Sequence, residues 1–255
     1  MPVTANNTGE KKPTILRHSL TVRLIHWTVT LSTFILIFTG LGQMPIYKRY
    51  LLDQVPGFAW SSNYEITVYV HYIAAMALVF AAVFHVVYHG MCRHFHIIPR
   101  KGDLKESYLL VKAMLTKCEE PPCHKYLPEQ RLAYVFIAGS LGTIIITGIF
   151  KVLKNLPTMA NTFSNDFIYW MTMLHNIATF MVIFGIIAHL GAFVFKANRA
   201  LLPSIFTGRV DLEYIKHRHC LWYEDLCCQE IISPEQIKGI ASHSPGEIQD
   251  NEHTA

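Results

Sequence analysis

Residues 167–195 read FIYWMTMLHNIATFMVIFGIIAHLGAFVF, a run of 29 residues that contains no Lys, Arg, Asp or Glu. An α-helix needs about 20 largely apolar residues to cross the hydrocarbon core of a bilayer, so this run is long enough to span a membrane. It contains His175 and His189, which are 14 residues apart. At 100° and 1.5 Å per residue, they fall within about 40° of one helix face and about 21 Å apart along the axis. The run therefore predicts a membrane helix that presents two imidazoles on one face at two depths.

Three other apolar runs of similar length occur near residues 22–43, 66–90 and 131–153. The chain of 255 residues is 51% hydrophobic and only 16% charged, with a mean hydropathy of +0.27, which separates it from soluble globular proteins. In lipid, backbone polar groups must be bonded within the protein, and a single α-helix satisfies this requirement by itself. The four runs therefore predict an all-α membrane protein, a bundle of four transmembrane helices.

The positively charged residues indicate how these helices cross the membrane. Short loops rich in Lys and Arg stay cytoplasmic, and these residues concentrate in the N-terminal arm, the loop between the second and third helices, and the C-terminal tail. The two other loops contain only Lys48, Arg49, Lys151 and Lys154. We therefore expect cytoplasmic N- and C-termini. The net charge of +4 fits this topology and contact with acidic lipid headgroups, and no basic, aromatic surface indicates a nucleic-acid partner.

The distribution of polar residues divides the chain into three parts. It predicts a flexible N-terminal arm over residues 1–16, a membrane domain over residues 17–226 and a mobile C-terminal tail over residues 227–255. No internal repeat is expected. The six cysteines fall on the predicted cytoplasmic side, where thiols stay reduced, so we expect no disulfides.

Six histidines lie in the predicted spans or at their ends: His26, His71, His85, His89, His175 and His189. Ionisable side chains are costly within a membrane helix and indicate a functional site. Two imidazoles on one face at two depths are typical of a helix that gives one axial ligand to each of two stacked b-type haems. His71 is level with His175, and His26 is level with His189. This predicts an outer haem bound by His71 and His175 and a cytoplasmic haem bound by His26 and His189.

The same spacing allows a different pairing. His85 also lies 14 residues after His71, so His71 with His85 and His175 with His189 would form two ligand pairs from two helices. Periodicity alone does not choose between the two arrangements. His85 is therefore an alternative haem ligand.

Two haem-free functions also fit four membrane helices: transport of a divalent metal, and anchoring of a redox partner. A transported metal is expected to gather its ligands near the midplane of the bilayer, whereas these histidines lie at the two ends of the spans. Absorbance separates the possibilities, because only the dihaem interpretation predicts a reduced b-type spectrum with about two haems per chain.

Several motifs together resemble a known family. They are Arg23 with His26-Trp27, the lone His71 opening the second helix, His175 through His189 to Val194-Phe195-Lys196, the stretch SIFTGRV at 204–210, KHRH at 216–219, and Trp222-Tyr223. Over about residues 13–226 the chain resembles the cytochrome b (gamma) subunit of membrane-bound formate dehydrogenases. The cytochrome b subunit of nickel-iron hydrogenases is a more distant resemblance.

The resemblance implies a dihaem cytochrome b in the inner (cytoplasmic) membrane of a prokaryotic cell. Such a chain is an electron-transfer subunit of a respiratory oxidoreductase complex, not its catalytic subunit, and it has no catalytic residues of its own. Its expected partners are an iron–sulfur electron-transfer subunit and a catalytic oxidoreductase subunit, and electrons pass from the former to menaquinone. The resemblance also favours His26 over His85 as the fourth haem ligand.

The resemblance further implies a quinone pocket near the cytoplasmic haem, at the start of the third helix. The candidates there are Tyr126, Glu129, Gln130 and His189. The family tends to have Lys-Tyr-Asn-x-Gly-Gln-Lys at this point, whereas this chain has KYLPEQR at 125–131. Leu127 replaces the amide and Glu129 replaces the glycine, which changes the hydrogen bonding available to a quinone.

Overall fold

The structure is a computed structural model, and it describes residues 13–93, 95–116, 118, 121–159, 161–229 and 231–232. Its helices and strands, in chain order, are β1 (Thr14–Leu16), α1 (Leu20–Gly42), α2 (Pro45–Arg49), two 3-10 helices (Leu52–Gln54 and Ala59–Ser62), α3 (Tyr64–Met91), α4 (Asp103–Thr116), α5 (Pro128–Asn155), α6 (Asn165–Gly191), a 3-10 helix (Ala192–Val194), α7 (Lys196–Arg199), α8 (Ser204–Thr207), β2 (Arg209–Asp211), α9 (Leu212–Arg218) and α10 (Cys220–Cys228).

Four of these helices are long and apolar enough to cross a membrane, which confirms the four predicted spans. They are Leu20–Gly42, Tyr64–Met91, Pro128–Asn155 and Asn165–Val194, the last including the 3-10 turn after α6. Large apolar side chains such as Phe80 and Phe184 are exposed on their outer faces. In water such exposure would be unfavourable, whereas lipid tails are a suitable solvent for it.

Polar side chains fix where three of the long helices begin. The hydroxyls of Ser19 and Ser164 and the side-chain oxygen of Asn63 accept hydrogen bonds from backbone N–H groups in the first turns of α1, α6 and α3. These bonds satisfy N–H groups that have no partner within the helix. The helices therefore start where the sequence places a capping residue before an apolar run.

The four long helices form two hairpins. α1 packs against α3 in the first hairpin, and α5 packs against α6 in the second, whereas close backbone approaches between the hairpins are sparse in the described part of the chain. We call the end with the loops 43–63 and 156–164 the hairpin end. We call the opposite end the terminal end, because α1 begins there and α6 ends there. The bundle therefore has a seam between its two hairpins where side chains, rather than backbones, meet.

The two hairpins repeat one another in sequence. Residues of α1 recur in α5 at an offset of 108, and residues of α3 recur in α6 at an offset of 104. The identical pairs include Arg23/Arg131, Ser32/Ser140, Thr39/Thr147, Gly40/Gly148, His71/His175, Ile73/Ile177, Ala74/Ala178, Phe80/Phe184 and His85/His189. The buried positions also coincide: Ala74, Leu78 and Ala81 of α3 correspond to Ala178, Val182 and Gly185 of α6. The expectation of no internal repeat is therefore wrong.

The terminal end carries a small domain-like cap. β1 pairs antiparallel with β2, with Thr14 opposite Asp211 and Leu16 opposite Arg209. The ladder is accompanied by a cluster of buried apolar side chains, of which Leu212 and Ile215 belong to α9 and Trp222 and Leu226 to α10. The other members are Leu201, Val210 of β2, and Ile232. This cap holds the two ends of the described chain against each other.

The cap corrects three predictions made from the sequence. Thr14–Leu16, placed in the flexible arm 1–16, form a strand, so the prediction of an all-α protein holds for the membrane helices but not for this ladder. Cys227 and Cys228, placed in the mobile tail 227–255, end α10. Ile232 of that tail is buried in the apolar cluster. The rest of the predicted arm, residues 1–12, and residues 233–255 of the predicted tail lie outside the described residues.

Gly208 lies in the cap at a position where a side chain would meet the backbone of His18. Its φ is +79°, and a Cβ built there would lie 2.5 Å from the backbone oxygen of His18. Its own carbonyl accepts hydrogen bonds from the N–H groups of Arg17 and His18, at 2.8 and 3.1 Å. We expect Gly208→Ala to lower the free energy of unfolding by more than the ~1–2 kcal/mol of left-handed backbone strain alone, because the methyl group also meets backbone.

Gly57→Ala is the matched control for Gly208→Ala. Gly57 has a φ of +87°, but apart from its two chain neighbours no described residue has an atom within 4 Å of its Cβ position. It should therefore show the strain without the clash. Thermal unfolding of the purified protein in detergent measures both changes, and equal losses in the two variants would contradict the close approach at Gly208.

Candidate functional site

His71 and His175 line one cavity at the seam between the hairpins. The cavity has a volume of about 330 Å³ and reaches all four long helices. His71 comes from α3 of the first hairpin and His175 from α6 of the second, at equivalent positions of the repeat. The structure therefore brings together the two histidines that the sequence predicts as a pair.

Both imidazoles are bonded in the same way on one side. The Nδ1 of His71 lies 2.9 Å from the hydroxyl of Thr39 on α1, and the Nδ1 of His175 lies 2.9 Å from the hydroxyl of Thr147 on α5. The Nε2 atoms of both rings have no hydrogen bond to any of the residues described. Each histidine therefore presents one unused nitrogen.

Glycines next to the two threonines leave room for the rings. A Cβ on Gly40 would lie 3.6 Å from Cε1 of His71, and a Cβ on Gly148 would lie 3.5 Å from Cε1 of His175. These are ordinary contact distances, so each ring already packs against the helix backbone at its Thr-Gly pair. The pair occurs once in each hairpin.

At the terminal end, His26 on α1 and His189 on α6 lie close enough for their charges to interact. The Nδ1 of His26 is buried and has no hydrogen-bond partner among the residues that the structure describes. A buried ring nitrogen without a partner is costly unless something binds to the imidazole. The edges of the two rings contact aromatic neighbours, Trp27 for His26 and Phe193 for His189.

His85, the alternative ligand, is engaged elsewhere. Its Nε2 lies 2.9 Å from the hydroxyl of Tyr134 on α5, and its ring centroid is 4.3 Å from that of His89. In the repeat, His85 corresponds to His189 and Tyr134 corresponds to His26. The structure therefore has the histidine pair His26 and His189 at one position of the repeat. At the equivalent position it has the hydrogen bond between Tyr134 and His85.

The comparison with known families agrees with this geometry. The sequence pattern that defines the prokaryotic cytochrome b561 family matches residues 17–208. The chain belongs to this family. It is also similar to the formate dehydrogenase cytochrome b556 subunit of Haemophilus influenzae, with 23% identity over 217 residues that cover 83% of each chain.

As a prokaryotic cytochrome b561, the chain is a multi-pass membrane protein that binds haem b. The haem-free transporter and anchor alternatives do not fit this membership. The residues of the chain fit the cofactor, because His71 and His175 offer unbonded Nε2 atoms to one cavity and His26 has a buried Nδ1 without a partner in the described chain. Lys151 lines the same cavity and provides a positive charge near the hairpin end.

Among the quinone candidates, Gln130 has a structural role that the sequence did not indicate. Its side-chain oxygen accepts a hydrogen bond from the N–H of Leu127, at 3.3 Å, and so caps the start of α5. The carboxylate oxygens of Glu129 are buried. Burial raises the pKa of Tyr126, so its phenol is a hydrogen-bond donor across the physiological range.

The charges around Tyr126 are mainly positive. The guanidinium of Arg17 lies over the rings of Tyr126 and Trp222, at 5.5 and 5.4 Å from their centroids, and donates a hydrogen bond to the carbonyl of Lys125. Burial, and then the charge of Arg17, lower the pKa of Lys125 to about 8 and that of His18 to about 3. His18 is therefore neutral at pH 7, and the positive charges near Tyr126 come from Arg17 and Lys125.

A buried ion pair anchors this region of the cytochrome. Arg131 at the start of α5 donates to both carboxylate oxygens of Asp103 on α4, at 2.5 and 2.8 Å. It also donates to the carbonyl of Tyr126 at 2.8 Å. The hydrogen bond from Arg131 holds the pKa of Asp103 below its ordinary value. The ion pair therefore fixes α4 and the Tyr126 backbone to the beginning of α5.

Proposed function

We propose that this chain is the dihaem cytochrome b membrane subunit of a formate dehydrogenase-like respiratory complex. It would pass electrons across the membrane between an iron–sulfur subunit and the quinone pool. The observation that supports this most directly is the pair His71 and His175, which come from different hairpins, line one cavity and each keep Nε2 unbonded. Two imidazoles that face one cavity are what the ligation of a b-type haem by two histidines requires.

We assign the outer haem to His71 and His175 and the cytoplasmic haem to His26 and His189. Lys151 lines the same cavity and would provide a positive charge to the haem held there. His26 is favoured over His85 at the cytoplasmic haem, since the Nε2 of His85 is already bonded to Tyr134 while His26 has a buried nitrogen without a described partner.

The spacing of the histidines suits transfer across the bilayer. His175 and His189 are 14 residues apart on α6, or about 21 Å along the helix axis. The bound haems supply the one-electron chemistry, and the protein holds them at the two depths. One electron moved across the membrane potential is worth about 2.3 kcal/mol per 100 mV. The subunit would thus contribute to the proton-motive force.

The quinone, which we take to be menaquinone, would bind at the terminal end near His189. Tyr126 would donate a hydrogen bond to a quinone oxygen, and Glu129, three residues further along the chain with buried carboxylate oxygens, would accept a proton. Gln130 would act indirectly, because its side-chain oxygen already caps α5. Its role would then be to fix the helix start that carries Glu129.

This function sets the orientation and the partners of the subunit. The hairpin end would face outward and receive electrons from the iron–sulfur subunit, which docks with a catalytic oxidoreductase subunit. The terminal end, where the described part of the membrane domain 17–226 begins and ends, would lie at the cytoplasmic face of the inner membrane. The Lys and Arg distribution along the chain supports this orientation.

A reduced-minus-oxidised spectrum and a haem count on the purified complex test the proposal. We expect a b-type spectrum with about two haems per chain. His26→Ala should lose one haem, whereas His85→Ala, a matched change one helix away, should keep both. The first spectrum uses dithionite as the reductant. A reduced naphthoquinone, added in its place, should also reduce the haems if the quinone site is intact.

The choice of electron donor identifies the parent complex. Formate should reduce the haems of the intact complex if the catalytic partner is a formate dehydrogenase, and hydrogen should do so if it is a hydrogenase. Absence of haem from the wild-type complex would rule out the electron-transfer role. Loss of a haem in His85→Ala but not in His26→Ala would reverse the assignment of the fourth ligand.

A further inference from the structure

The repeat places the same side-chain arrangement on both sides of the hairpin-end cavity. In each hairpin, a Thr-Gly pair on the first helix contacts the histidine of the second helix: Thr39 and Gly40 contact His71, and Thr147 and Gly148 contact His175. We infer that Thr39 and Thr147 are matched positioning residues that hold both histidines with the proton on Nδ1 and the lone pair on Nε2. This inference rests on the proposed function, since it concerns the ligands of the outer haem.

The direction of each hydrogen bond follows from the backbone. The hydroxyl of Thr39 donates to the carbonyl of Ile35 at 2.8 Å, and that of Thr147 donates to the carbonyl of Thr143 at 2.7 Å. A hydroxyl has one proton, so a threonine that donates it to a carbonyl can only accept from the imidazole. With the hydroxyl proton donated to the carbonyl, each Nδ1 carries the hydrogen, and this is the tautomer that we infer.

This tautomer also decides which ring nitrogen stays free. With Nδ1 protonated, a neutral imidazole keeps its lone pair on Nε2, the atom that has no described hydrogen bond.

Burial makes the threonine hydroxyls hard to replace. Thr39 is 1% exposed and Thr147 is 2% exposed, so water does not reach either hydroxyl. Metal-binding histidines usually donate their other N–H to an acceptor, which fixes the ring and raises the basicity of the ligating nitrogen. Here Thr39 would be the acceptor for His71 and Thr147 the acceptor for His175. The repeat makes the two arrangements equivalent.

A more basic ligand stabilises ferric iron over ferrous iron. Removing the acceptor should therefore raise the midpoint potential of the outer haem. We would measure this by redox titration of the purified complex, following the reduced b-type band, for Thr39→Val, Thr147→Val and the double variant. The two single variants should raise the midpoint potential of the outer haem by similar amounts, and the double variant should raise it further. The midpoint potential of the cytoplasmic haem should not change.

Two sets of variants control for packing. Thr39→Ser and Thr147→Ser keep the hydroxyl and should keep the wild-type potential. Thr28→Val on α1 and Thr143→Val on α5 should leave both potentials unchanged. Among the described residues, their hydroxyls bond only to the carbonyls of Leu24 and Gly139. The electron paramagnetic resonance of the ferric outer haem provides a second readout, because its g values respond to the hydrogen bond on the axial imidazole.

The outcomes separate this inference from the proposed function. Val variants that lose the outer haem or raise its potential, while the Ser variants restore the wild-type behaviour, support the positioning role. If the wild-type complex contains two haems and the Val variants have unchanged midpoint potentials and g values, the positioning role is overturned. The proposed electron-transfer function is then unaffected. Equal effects of Ser and Val also overturn the positioning role, because the hydroxyl would then not matter. Absence of haem from the wild type overturns the function itself.

Discussion

Replacing His175 by alanine should reduce the haem content of the purified complex from about two per chain to about one. His71→Ala should give the same loss, because the two side chains line one cavity and would ligate one iron. The double variant His71→Ala/His175→Ala should lose no more than either single variant. This non-additivity is the clearest sign that the two histidines share one haem, since residues that act as one unit do not contribute separately.

The haem count and the reduced spectrum measure this effect, and His96→Ala provides the control. His96 is an exposed histidine outside the long helices, so its loss should leave two haems. If His71→Ala and His175→Ala removed different haems, the double variant would contain none. That result would show that the hairpins do not share the outer haem.

The second large effect is expected at Asp103. Asp103→Ala should lower the free energy of unfolding by about 3–5 kcal/mol, because it leaves the guanidinium of Arg131 buried without its carboxylate. Arg131 and Asp103 are only 4% and 2% exposed, so water cannot take the place of the lost oxygens. Chemical denaturation of the purified cytochrome, followed by tryptophan fluorescence, measures the loss.

Glu106→Ala is the matched control for this ion pair. Glu106 lies 4.0 Å from Arg131, but its side chain is 58% exposed, so its removal should cost no more than about 1 kcal/mol. The pH dependence provides a further check. The folded-state pKa of Asp103 is lowered, so its contribution is complete above the ordinary carboxyl pKa of about 4 and declines as the pH falls through the folded-state value. A stability difference that shrank between pH 5 and 8 would contradict the buried ion pair.

Hydrophobic length and histidine spacing were enough to predict the membrane helices and to suggest which histidines meet. The four predicted spans lie within a few residues of α1, α3, α5 and α6 because a lipid-exposed helix must be apolar along its whole length. The pairing of His71 with His175 at one level followed from counting residues along the helices. Both inferences depend only on properties of single helices.

Contacts between helices were not predictable in the same way. Thr39 and Thr147 look like ordinary small residues of membrane helices, and their role depends on which helix each one faces. The repeat was missed because the two hairpins have loops of different length, so the offset changes from 108 to 104 between the paired helices. β1 was missed because its partner strand lies nearly 200 residues away, as the pairing of Thr14 with Asp211 shows. The recurrence of a Thr-Gly pair in α1 and α5 was the sequence signal that could have revealed the repeat.

The repeated hairpin also suggests a history for the fold. Two copies of one helical hairpin, related by an axis along the membrane normal, would form a symmetric homodimer with a ligand such as His71 or His175 from each subunit. Fusion of the two genes into one chain frees each copy to change alone. At the hairpin end the copies have stayed alike, whereas at the terminal end one has His26 and the other has Tyr134. A protein that began with twofold equivalence would in this way acquire two chemically different ends.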